Sequence, residues 1–108
     1  MDLIQALREY QPWNQQERQD RSEMLRRLQS GEPLLDRENL SAHMTASAWV
    51  VSPRRDRVLM AYHNLYDSWA WLGGHADGDS DLLSVAIREV QEESGLQVVH
   101  PVRPDIFS

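Results

Sequence analysis

Hydrophobic positions recur at helical spacing near both ends of this chain and at strand spacing between them. Leu3, Ala6 and Leu7 share one side of a helix predicted from Asp2 to Tyr10, which Pro12 ends. Met24, Leu25 and Leu28 form the apolar stripe of a second helix, capped by Asn14 and running to about Gln29, with Gly31 and Pro33 as its stop. The rest of Glu17 to Arg27 is dense in charge and reads as a solvated helix face, with a partner-binding helix as the alternative. Leu34 to Leu40 is a linker.

The period then changes. In the predicted strand His43 to Val51, Ala46, Ala48 and Val50 alternate with Thr45, Ser47 and Trp49, an alternation of size more than of polarity. Ser52-Pro53-Arg54-Arg55-Asp56 is a turn, and Val58 to His63 the returning strand of a β-hairpin. Asn64 to Ser68 is a loop, Trp69 to Leu72 a short strand, and Val98 to Val102 a further strand. Between the last two, Leu82, Leu83, Ala86 and Val90 recur at three- and four-residue steps, the mark of an amphipathic helix over residues 82–93. Asp79, Ser80 and Asp81 offer capping side chains before it, and Gly95 stands where a left-handed residue closes a helix.

That helix carries the candidate chemistry. Glu89, Glu92 and Glu93 are related by i, i+3 and i, i+4, so their side chains are neighbours. Like charges repel, and the negative end of the helix dipole adds to the cost. A cation among the carboxylates relieves it, and hard oxygen ligands suit Mg²⁺ or Mn²⁺. Arg88 can pair with one carboxylate and fix its orientation. A bland alternative for any E-x-x-E-E run is a solvated acidic helix end. Asp77, Asp79 and Asp81 also alternate like the start of an EF-hand loop, but the positions that need Gly and Glu hold Leu82 and Arg88, so that reading fails.

The segment from Gly74 to Leu96 resembles the Nudix box, G-x5-E-x7-R-E-U-x-E-E-x-G-U with U a bulky aliphatic residue: Gly74, Arg88, Glu89, Val90, Glu92, Glu93, Gly95 and Leu96 all stand at their expected positions. The resemblance implies an α/β/α sandwich around a mixed sheet, here incomplete and so α+β, with the box as loop–helix–loop. It implies a pyrophosphohydrolase that cleaves the phosphoanhydride of a nucleoside diphosphate linked to another group, by attack of metal-activated water. Glu89, Glu92 and Glu93 would ligate Mg²⁺ (or Mn²⁺) together with the Gly74 carbonyl, one glutamate could serve as base, and Arg88 would orient a glutamate. The partner implied is a nucleotide-like small molecule.

Three departures from the family pattern stand out. Ser80 occupies the place of the first glutamate, which usually braces the arginine; Asp77, Asp79 and Asp81 are the candidate substitutes. Leu72 stands where Pro commonly precedes the paired glycines. The chain ends at Ser108, before the further strands and final helix of the family domain. The expectation is an N-terminal helical extension over residues 1–40 and a partial Nudix domain over 41–108, from a truncated product or a fragment. A non-catalytic Nudix-like binding remnant is the alternative.

Composition narrows the remaining classes. With 11 basic and 17 acidic residues the net charge is −6, which argues against sequence-independent binding of nucleic acid. Every basic residue is Arg. The absence of Cys excludes disulfides and thiolate metal sites. No apolar run approaches a membrane span, and the first residues lack the form of a signal peptide, so a cytoplasmic location is expected. The N-terminal helices offer a surface for homo-oligomer formation or docking. His43, His63, His75 and His100 lack ligand spacing and read as structural or exposed, with His75 singled out by its place in the glycine loop. Trp69 and Trp71 share a strand face and read as core, with nucleobase stacking the alternative. Arg54, Arg55 and Arg57 read as a solvated hairpin tip, with contacts to substrate phosphates the alternative.

Overall fold

The computed structural model describes residues 2–103. It is a mixed α+β arrangement of three helices and small antiparallel ladders. Helix α1 spans Leu3–Glu9 and α2 spans Gln15–Gln29; Asp2 and Asn14 cap them by accepting from the amides of Gln5 and Glu17. Six strands follow: β1 (Thr45–Ala48), β2 (Val50–Val51), β3 (Val58–Leu59), β4 (Ala61–His63), β5 (Ser68–Ala70) and β6 (Leu72–His75). Helix α3 spans Leu82–Ser94.

The strand pairing refines the hairpin expected from the sequence. Val50 and Val51 do pair with Leu59 and Val58 around the arginine-rich turn. Beyond that tip the two arms part, at Trp49 on one side and Met60 on the other. One arm, β1, pairs with β6 in the register Thr45↔His75 to Ala48↔Leu72. The other, β4, pairs with β5 in the register Ala61↔Ala70 to His63↔Ser68. The chain from Ser68 to His75 thus meets a different partner in each half. The glycines are not a loop after a strand, as expected, but part of one: Gly73 and Gly74 lie within β6. No strand forms over Val98 to Val102 among the described residues.

All three helices contribute to a single apolar cluster of Leu3, Leu7, Ala76, Leu82 and Val85, with Met24, Leu25, Leu28, Met44 and Ala46 packed against it. The helical spacing of Leu3 and Leu7 is what allows both to enter one core. The charged remainder of α2 stays outside; none of its residues is fully buried. On β1 exposure alternates, with Thr45 and Ser47 outward and Ala46 and Ala48 inward, as the period of a half-covered strand requires.

The opposite sheet face corrects one reading. Trp69 and Trp71 are not core: they are 67% and 55% exposed. Trp69 packs edge-on against Tyr62, its cross-strand partner, at 5.4 Å, and Trp71 against Trp49 at 6.1 Å. Alternation along the strand does put the two tryptophans on one face. The helices, however, all cover the other face, where Leu72 is 2% exposed.

Candidate functional site

The site forms where α3 crosses β6. Asp81 caps α3, accepting from the Ser84 amide at 3.2 Å and the Ser84 hydroxyl at 2.8 Å. Those bonds hold the Asp81 carboxyl below its ordinary pKa. Gly95, with φ 78°, closes the other end in the left-handed region. Val85 and Val90, both essentially inaccessible, pin the helix to the core between them. This fixes the rotation of α3 and turns Glu89 and Glu93, one turn apart, toward the glycine strand.

Glu89 fills the space beside Gly74. A Cβ placed on Gly74 would stand 2.5 Å from Glu89 Cδ and 2.7 Å from its Oε2, so only glycine leaves room for the carboxylate there. Glu93 Oε1 accepts from the Gly73 amide at 3.2 Å. Gly73 is itself tight: a Cβ there would stand 2.5 Å from the Ala46 carbonyl oxygen. The two consecutive glycines are therefore needed for different reasons, one for a helix side chain and one for the neighbouring strand.

The aspartates around the missing first glutamate take separate tasks. Arg88 lies between Asp79 (Nη1 to Oδ2, 3.9 Å) and Glu89 (Nη2 to Oε1, 3.7 Å), so Asp79 stands where a brace for the arginine is needed. Asp77 is held by Arg37 through two bonds of 2.8 and 2.6 Å, which tie the segment before β1 to the loop after β6. That guanidinium keeps the Asp77 carboxyl below the usual range. Asp81 is the helix cap. The role of Arg37 had no signal in the sequence, because its partner is 40 residues away.

The remaining candidates are not gathered in. Glu92 is exposed. The carbonyl of Gly74 lies in the β1–β6 ladder: Ala46 faces Gly74, and the Ala76 amide donates to the Met44 carbonyl two residues along, so by alternation the Gly74 backbone groups turn toward β1. His75 lies on the strand face away from Glu89. Its ring is 5.1 Å from that of His43, and its Nδ1 is buried with no hydrogen-bond partner among the described residues. Arg54, Arg55 and Arg57 are exposed at the hairpin tip.

The donor chemistry of Glu89 and Glu93 suits a hard divalent ion, and both carboxylates meet the same strand. Their number does not complete a site: among the described residues no group of three or more His, Asp or Glu side chains is close enough together to hold a metal. Nor is any described helix long and apolar enough to cross a membrane. Comparison of the chain with protein-family models and with curated proteins gives no match.

Proposed function

We propose that this chain carries the Nudix-type site of a Mg²⁺-dependent hydrolase acting on the phosphoanhydride of a nucleoside diphosphate derivative. The observation that supports this most directly is the seating of Glu89 against Gly74, with Glu93 one turn on at the Gly73 amide. Motif spacing and tertiary contact agree on the same pair of glycines and the same two glutamates. Glu89 and Glu93 would hold the cation, and Glu92 would join by turning in from solvent. A divalent ion held there would supply a water of lowered pKa and neutralise charge on the diphosphate. Arg88, between Asp79 and Glu89, is a positioning residue: it keeps the Glu89 carboxylate aimed along the helix.

A second reading, a non-catalytic binding module, draws on the exposure of Glu92 and the lack of a gathered trio of acids. The two part on one experiment. A panel of nucleoside diphosphate derivatives is incubated with Mg²⁺ or Mn²⁺ and the products are resolved. Release of a monophosphate from one compound supports the enzyme; saturable nucleotide binding with no turnover supports the module. In Glu93→Gln the side chain can still accept from the Gly73 amide but has lost its charge. Calorimetry is expected to show Mg²⁺ affinity reduced about tenfold or more with the fold intact, since even a group that only orients a metal ligand is worth about 10–100-fold. Equal affinity in the two forms counts against both the ligand role and the proposal.

A further inference from the structure

The helices cover one face of the strand layer and leave the other open. Trp49, Tyr62, Trp69 and Trp71 stand on that open face, and the cross-strand pair Val51 and Val58 continues it toward the hairpin tip. All six side chains are exposed, from 39% for Val51 to 67% for Trp69. An aromatic side chain presents about 150–250 Å², so the four rings alone leave about 500 Å² of apolar surface uncovered. A contiguous apolar patch of that order with a polar margin marks an interaction surface.

Two features of the face define its partner. It is neutral: among the described residues no outward strand position holds Asp, Glu or Arg, although the chain as a whole carries a net charge of −6. A phosphate-bearing ligand finds no cation among the rings, whereas a second neutral face meets them without burying a charge. Its relief is also self-complementary. Trp49 and Trp71 form a ridge, their ring centroids 6.1 Å apart. The next pair on this face of the β1–β6 ladder is Ser47 opposite Gly73, a hydroxymethyl group and a hydrogen. A raised step beside a lowered one lets two copies interlock about a two-fold axis, each ridge over the other's low step.

We propose that two copies of this chain pair face to face through these rings. The rings of two copies bury about 1,000 Å², the lower bound of a specific interface, and Val51, Val58 and the polar margin extend this toward the usual range of about 1,200–2,000 Å². The association is closed, because pairing uses up the same face on both copies. It lies on the strands and not on the N-terminal helices. Helix α3, which carries Glu89 and Glu93, packs on the opposite face, so the pairing stands apart from the hydrolase reading.

Sedimentation of the whole chain over a concentration series tests this. The mass is expected to rise from one chain to two and stop there. All four tryptophans are exposed in the single chain and three of them lie on this face, so their emission should move to shorter wavelength over the same concentrations. Trp69→Glu sets a charge within the interface and should raise the dissociation constant about thirtyfold or more, as for a hot-spot side chain. Gln19→Glu adds the same charge on the exposed side of α2 and should leave it unchanged. Val58→Glu, outside either ring pair, gives the same reading where Trp69→Glu fails to fold. A single-chain mass at every soluble concentration, or growth beyond two chains, would overturn the proposal. So would a dimer that Trp69→Glu and Val58→Glu leave intact, or one that Gln19→Glu weakens equally, which moves the contact to the N-terminal helices. Quenching of tryptophan emission by a nucleoside diphosphate, in a chain that stays single, would assign the face to nucleobase stacking instead.

Discussion

Alanine at Gly73 and at Gly74 should have opposite kinds of consequence, although the residues are adjacent in one strand. Neither glycine has a positive φ, so space and not backbone conformation decides. At Gly73 the new methyl meets the Ala46 carbonyl oxygen at 2.5 Å and Ser47 Cα at 2.7 Å. These are backbone atoms of β1, and relief requires the strand itself to move out of register with β6. At Gly74 the three atoms nearest the methyl all belong to the end of the Glu89 side chain. That carboxylate can rotate away at about 1 kcal/mol for a displaced rotamer. The alanine also restricts the unfolded chain, offsetting about 0.4–1 kcal/mol.

Gly73→Ala is therefore expected to cost about 3 kcal/mol, the upper end for overpacking, a large share of a small domain's total stability. Gly74→Ala should cost under about 1 kcal/mol. Urea unfolding followed by tryptophan fluorescence reads both, since Trp49 and Trp71 flank the β1–β6 ladder. With a slope of about 1–3 kcal/mol per molar, the midpoint should fall by about 1 M or more for Gly73→Ala and much less for Gly74→Ala. Mg²⁺ affinity should behave in reverse among folded molecules, with Gly74→Ala weakened by the displaced Glu89. A Gly74→Ala protein as unstable as Gly73→Ala, or one with unaltered Mg²⁺ affinity, would refute the reasoning about which atoms each glycine makes room for.

Val85→Ala should cost about 2 kcal/mol by urea titration, because the side chain is wholly inaccessible at the centre of the core. Leu7→Ala should cost about 2–4 kcal/mol and release α1, with the loss of amide protection over Leu3–Glu9 as its signature. The Arg37–Asp77 pair sets a pH dependence. The folded pKa of Asp77 lies below its ordinary 3.8, so its contribution is complete above that value and is lost as pH falls through the lower folded one. Asp77→Asn should flatten this acid limb in pH-dependent melting. The effect is small because both partners are about half exposed. An unchanged acid limb would show that the pair does not tie the loop.

The sequence by itself determined the helices, the residues of the acidic helix and most strand segments, but not the glycines within β6, and the strand it predicted over Val98 to Val102 does not form among the described residues. The spacing of Leu82, Leu83, Ala86 and Val90 placed α3 to within a residue, and Asp81 and Gly95 bounded it, because caps and periodicity act over a few residues. What the tertiary structure decided is everything that depends on partners distant in the chain. It split the hairpin arms between β6 and β5, since strand pairing is chosen by contacts that alternation cannot name. It left Trp69 and Trp71 exposed, because a shared face is legible in sequence but the side on which helices pack is not. It assigned Asp77, Asp79 and Asp81 to Arg37, Arg88 and the helix cap, three roles indistinguishable in a run of alternating aspartates. It also separated Glu92 from Glu89 and Glu93: i, i+3 spacing makes side chains neighbours along a helix, but the rotation of α3 on its buried valines selects which of them reach the glycine strand.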